Sequence, residues 1–165
     1  MQHFSQKYTI LQLLETIPDG MEFSANEWPL HVTIADTFAI DWDESLLAER
    51  LTEMLHVHPP AESIVEGDAY FGEDEQVHVM LLRKTPDLLA LHMDVIKLLE
   101  QGGWKPNNPQ FAKDGFLPHS TIRDHARLYE GDTIRFTALS LIDMFPDKDP
   151  YRRRVVKTIP LKGNK

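Results

Sequence analysis

Two short stretches, PLHVTIAD at 29–36 and LPHSTIRD at 117–124, each set an imidazole and a hydroxyl two residues apart. In a β-strand successive side chains alternate between faces. His31 and Thr33 therefore share one face, and so do His119 and Thr121. Leu30, Val32 and Ile34 take the opposite, apolar face of the first stretch. Arg123 joins His119 and Thr121 if that strand runs two residues further. A single histidine in a strand is usually a structural one that has found its hydrogen bonds. Two copies of the same pattern, half a chain apart, point to proton transfer instead. An imidazole with an ordinary pKa of about 6.5 can serve as donor or acceptor near neutral pH.

The elements that must position these residues are legible in outline. Residues 8–14 read as a first strand without clean alternation, and a loop containing Pro18, Asp19, Gly20 and Asn26 leads to the strand of His31. Asp41, with Glu44 three residues on, reads as a capping box opening a helix. Leu47, Leu51, Met54 and Leu55 continue that helix until Pro59–Pro60 stops it. Residues 62–71 and 77–82 alternate as a hairpin across an acidic turn. Thr85–Pro86 opens a second helix, striped by Leu88, His92, Val95 and Leu99 and closed by Gly102–Gly103. After a polar loop come the strand of His119, a strand at 133–145, a PDKDP turn and a last strand at 151–159. Each half supplies a helix and several strands, a weak internal duplication.

Composition narrows the function classes. The chain has 165 residues, 42% of them hydrophobic and 26% charged, which suits one folded domain with a real core. No apolar run approaches the ~20 residues of a membrane helix. The start, MQHFSQKYTI, lacks the pattern of a secretory leader, and there is no cysteine to form a disulfide or a thiolate metal site, so a cytoplasmic protein without membrane contact is expected. A formal net charge of −9 argues against gripping DNA or long RNA through many phosphates and favours a small nucleotide or a short RNA end.

The remaining polar and aromatic candidates divide unevenly. His56 and His58 close the first helix, where imidazoles suit the helix dipole and no third metal ligand stands at a recognisable spacing. His92 lies on an apolar stripe and reads as a core histidine. His78 alternates with Gln76 and Met80, so it faces either the groove or away from it. His125 reads as a surface residue. Arg152 and Arg154 share one face of the last strand, with Arg153 on the other, and read as a solvated edge-strand cluster. The alternative for that cluster is a set of contacts to the phosphates of an oligonucleotide tail. Tyr70 and Phe71 read as core, while Trp104, with Lys105 and Lys113 nearby, reads as an exposed platform for a base.

Taken together, His31-Val-Thr33-Ile and His119-Ser-Thr121-Ile, with the order of elements around them, resemble the two-histidine phosphoesterase superfamily of 2′,5′-RNA-ligase-like proteins and cyclic phosphodiesterases. Ser120 departs from the apolar residue usual at its position. The resemblance implies an α+β fold of two pseudo-symmetric lobes, each an antiparallel sheet with flanking helices, forming a single bilobal domain over 1–165. The motif strands would lie side by side at the floor of a central groove. It also implies metal-independent cleavage of a 2′,3′-cyclic phosphate or a 2′,5′-phosphodiester, reversible as ligation, with no cofactor. His31 and His119 would be general acid and base in an unassigned order, with Thr33, Thr121 and Arg123 on the phosphate oxygens. Trp104 and His78 would contact the substrate, and a monomer is expected. A metal-dependent hydrolase and a non-catalytic nucleotide-binding or phosphometabolite-binding module are the competing expectations.

Overall fold

The computed structural model describes residues 6–164. Its elements follow in the order β1 (Tyr8–Leu13), β2 (Glu22–Ser24), β3 (His31–Ala39), α1 (Glu44–His56), β4 (Ala61–Phe71), β5 (Val77–Leu82), α2 (Pro86–Gln101), β6 (Lys105–Pro106), β7 (His119–Thr121), β8 (Thr133–Phe136), β9 (Ala138–Asp143) and β10 (Arg152–Pro160). Two antiparallel sheets result. One has six strands in the order β2-β10-β9-β1-β3-β6, and the other has four in the order β7-β5-β4-β8. The α+β class and two-lobed arrangement expected from the sequence are present.

The lobes do not coincide with the two halves of the chain. The six-stranded sheet takes β1 to β3 from the N-terminal part and β9 and β10 from the C-terminal end. The segment at 133–145 is the reason. It reads as one strand, but it breaks at Thr137 into β8, which pairs with β4, and β9, which pairs with β1 and β10. The buried Gln12 side chain accepts hydrogen bonds from the amides of Thr137 (2.9 Å) and Ala138 (3.1 Å), supplying an acceptor where the ladder is interrupted.

The helices start where local chemistry places them. Asp43, not Asp41, caps α1, accepting the Leu46 amide at 2.8 Å; Asp41 instead pairs with Lys105. Thr85 caps α2 ahead of Pro86, as its sequence predicts. Leu47, Leu51 and Leu55 of α1 and Leu88, Leu91, Val95 and Leu99 of α2 are fully buried in one core that reaches both sheets. That core also holds Phe38 of β3 and Phe136 of β8, each worth about 1.5–3 kcal/mol on burial. A second cluster, Leu11, Ile142, Met144 and Val155, covers the other face of the six-stranded sheet. β1 therefore lies between two apolar layers, which explains why residues 8–14 do not alternate.

Candidate active site

His31 opens β3 opposite Leu13, and Thr33 stands opposite Leu11. Directly paired residues share a sheet face, so both motif side chains stand away from the helices while Val32 and Ile34 enter the main core. His119 opens β7 opposite Leu81, and Thr121 stands opposite Val79. β3 and β7 adjoin across the two sheets without forming a ladder with each other, so the motif strands meet between sheets rather than within one.

The two imidazoles are held in the same way. His31 Nδ1 lies 2.8 Å from the Pro29 carbonyl, and His119 Nδ1 lies 2.7 Å from the Leu117 carbonyl. A carbonyl oxygen can only accept, so each Nδ1 carries a proton and donates it. Each Nε2 is left as the atom that can take or give a proton.

Electrostatics tie the site together. Burial pushes the His31 pKa down to about 4; the Pro29 carbonyl opposes this, and the charges of Arg123 and His119 add to it. His119 is also lowered by burial, opposed by its bond to Leu117 and by the nearby Asp36 carboxylate. His31, His119, Arg123 and Asp36 thus form one charge-coupled group. β7 ends at Thr121, so Arg123 arrives from the following turn, where its amide donates to the Ala126 carbonyl at 3.0 Å. Its Nε is buried without an acceptor among the described residues.

Two aromatic rings flank the histidines. Trp28 lies 5.0 Å from the His31 ring, and Phe71 meets the His119 ring edge-on at 4.8 Å. Trp28 carried no signal in the sequence, since the second motif has Phe116 at its position; Asp36 recurs as Asp124, five residues after the motif histidine, a repeat that could have pointed to it. Asp36 is itself held by the Asn108 amide at 2.9 Å, which fastens the polar loop to β3.

Other candidates lie elsewhere. His78 is paired along β4–β5 with Tyr70, one position out of step with the residues facing His119, so it occupies the opposite face of its sheet. There it bonds Asp68 at 2.8 Å and stacks on Tyr70 at 4.3 Å, which removes it from the motif face. Trp104 packs against the main core and is not an exposed platform, and its indole Nε1 is buried without a partner. His92 is a buried core histidine, as its stripe predicts. His58 bonds Asp94 at 3.0 Å and the Pro59 carbonyl at 2.8 Å, beside a cavity of about 570 Å³ between the two helices. His125 binds Glu15 at 2.8 Å, and the same carboxylate accepts the Leu30 amide next to His31.

The arginine cluster is not a solvated edge either. β2 pairs with Arg152–Arg154, so this end of β10 is an interior strand. Arg152 pairs with Glu22, and Arg154 pairs with Glu44 (2.8 Å) and Asp143 (2.9 Å). Among the described residues, no group of three or more His, Cys, Asp or Glu side chains is arranged to hold a metal ion.

Comparison with known proteins bears on the family and the fold. Residues 17–139 match the family model described as the 2′-5′ RNA ligase superfamily. Among solved structures, the protein TT0787 of Thermus thermophilus is similar at TM-score 0.60 and 15% identity, over 96% of this chain and 100% of that one. A protein described as a phosphoesterase gives TM-score 0.57 and 16% identity over 94% and 98%. E. coli LigT complexed with 3′-AMP gives 0.55 and 14%, again over 94% and 98%. At these identities the likeness is one of fold. A search of curated protein sequences finds no match.

Proposed function

The chain belongs to the 2′-5′ RNA ligase superfamily of two-histidine phosphoesterases, and from that premise we propose that it cleaves a 2′,3′-cyclic phosphate or a 2′,5′-phosphodiester of RNA or nucleotides without a metal. The family's chemistry is phosphoester chemistry on RNA-related phosphates; the bond, the direction and the residue roles are our reading. One observation carries it. Two imidazoles, oriented by matching Nδ1–carbonyl bonds, stand on adjoining strands and share a charge environment with a buried, unpaired Arg123 Nε.

In-line displacement puts the attacking and leaving oxygens on opposite sides of phosphorus, so base and acid must be separate groups. His31 is neutral at pH 7, and its Nε2 takes the proton of the attacking water. His119, beside Asp36, is the ring that holds a proton once a phosphate anion sits between the two. It gives that proton to the departing 3′ oxygen, leaving a 2′-phosphate. In ligation a 5′-hydroxyl takes the place of water: one imidazole removes its proton as its oxygen attacks the cyclic phosphorus, the other protonates the departing 3′ oxygen, and a 2′,5′ link results. Thr33, Thr121 and Arg123 donate to the non-bridging oxygens as charge gathers there. One copy of the chain carries all these groups, so a monomer suffices.

The test is hydrolysis of 2′,3′-cyclic nucleotides and 2′,5′-linked dinucleotides in EDTA. His31→Ala and His119→Ala should each lower the rate about 10²–10⁴-fold. The pH profile of the native protein should be bell-shaped. Near-native turnover in both variants ends the assignment. Activity lost to chelator and restored by zinc would transfer it to a metal-dependent mechanism.

A further inference from the structure

Among the described residues, two arginines have a buried Nε without an acceptor, Arg123 and Arg153. Arg123 is accounted for by the scissile phosphate. Arg153 has no role so far, and its surroundings differ from those of its neighbours. Arg152 and Arg154 are neutralised by carboxylates on the helix side of the sheet, whereas Arg153 makes no ion pair among the described residues. Asp143 and Asp149 reach it only as longer-range charges.

Register places Arg153 on the face that carries His31. It stands opposite Phe23, and Val155, two residues on, stands opposite Ile142. Val155 and Ile142 belong to the cluster that also holds Leu11, the partner of Thr33, with Phe23 and Trp28 packed on it. The Arg153 guanidinium lies over the Trp28 ring at 5.8 Å, and the same ring meets Phe23 and His31, each at 5.0 Å. The cation is therefore at most two ring contacts from the imidazole. Its Nη1 donates to the carbonyls of Met144, Pro150 and Arg152 at 2.8–2.9 Å, which fixes the plane of the fork. Nε and Nη2 make no hydrogen bond among the described residues.

A guanidinium held by three carbonyls, with Nη2 unengaged and no ion pair among the described residues, and lying across Trp28 from a motif histidine, offers a site for a second anion. We propose that Arg153 takes the phosphate one nucleotide inward from the scissile one, so that the preferred substrate is an RNA end carrying two phosphates rather than a free cyclic mononucleotide. This rests on the proposed function and specifies its substrate. Trp28 forms the wall that the intervening nucleoside passes.

Two probes separate the possibilities, uridine 2′-monophosphate and uridine 2′,5′-bisphosphate, titrated calorimetrically against the native protein in EDTA. The bisphosphate should bind about ten- to a hundredfold more tightly, the range for one added charge-assisted contact. Arg153→Gln should lose that advantage and Arg153→Lys should keep part of it. Arg152→Gln, altered on the opposite face, should keep all of it. Equal affinity of the native protein for both probes overturns the proposal, as does an advantage that survives Arg153→Gln. Binding of neither probe would overturn the proposed function together with it. If Arg153→Gln fails to fold, the native comparison and Arg153→Lys still decide.

Discussion

Replacing His92 by leucine should be strongly destabilising while leaving the motif residues untouched. The ring is 1% exposed and bonds at both nitrogens: Nδ1 donates to the Ile34 carbonyl at 2.7 Å, and Nε2 accepts the Lys113 amide at 2.9 Å. It also stacks on Phe116 at 3.9 Å. Leucine fills much of the space but bonds neither partner. Each orphaned backbone group costs about 1–3 kcal/mol and the lost stack about 0.5–1.5 kcal/mol. The expected loss is thus about 2.5–7.5 kcal/mol, a large part of the ~5–15 kcal/mol that holds a domain folded. Urea denaturation of the native and His92→Leu proteins at pH 7.5 measures it. Acidification gives a second reading. Burial lowers the His92 pKa, so as pH falls through about 6.5 the unfolded chain takes up a proton that the folded ring refuses, and stability drops. Protonation would also leave Nε2 a donor facing the donor amide of Lys113. The variant should lose this share of the acid sensitivity. A loss below about 1 kcal/mol, with the acid slope unchanged, would refute the view that His92 fastens the loop before His119 to β3.

Two further changes test the electrostatic argument. Asp36→Asn removes the carboxylate that favours protonated His119, so the pKa of that ring, followed by NMR, should fall further; an unmoved titration would separate Asp36 from the site. Arg154→Met strands the 4%-exposed Asp143 carboxylate and should cost about 3–5 kcal/mol in urea denaturation, whereas a loss under about 1 kcal/mol would make the pair no more than a surface contact.

Much of this was readable because it depends on local rules. The helix stripes, the Thr85–Pro86 start and the shared faces of His31 with Thr33 and of His119 with Thr121 follow from period and capping chemistry alone. What was not readable depends on pairing partners far away in the chain. His78 alternates correctly on its strand, yet its face is decided by the register between β5 and β7, which no local pattern records. Trp104 sits among polar residues but is drawn inward by the core it abuts. The cap moved from Asp41 to Asp43 because Lys105 and the tight turn at Gly102–Gly103 claim Asp41. The break at Thr137 is invisible in sequence because the acceptor that makes it tolerable, Gln12 Oε1, lies 125 positions away.

That break also has a mechanical meaning. A peptide leaving one lobe enters the other with no slack between β8 and β9, and the amides at the junction are clamped by a side chain from a third strand. This junction therefore carries no spare length on which a change in the spacing of the lobes could draw. A displacement at residue 137 would register as a change in the gap spanned by the two motif rings.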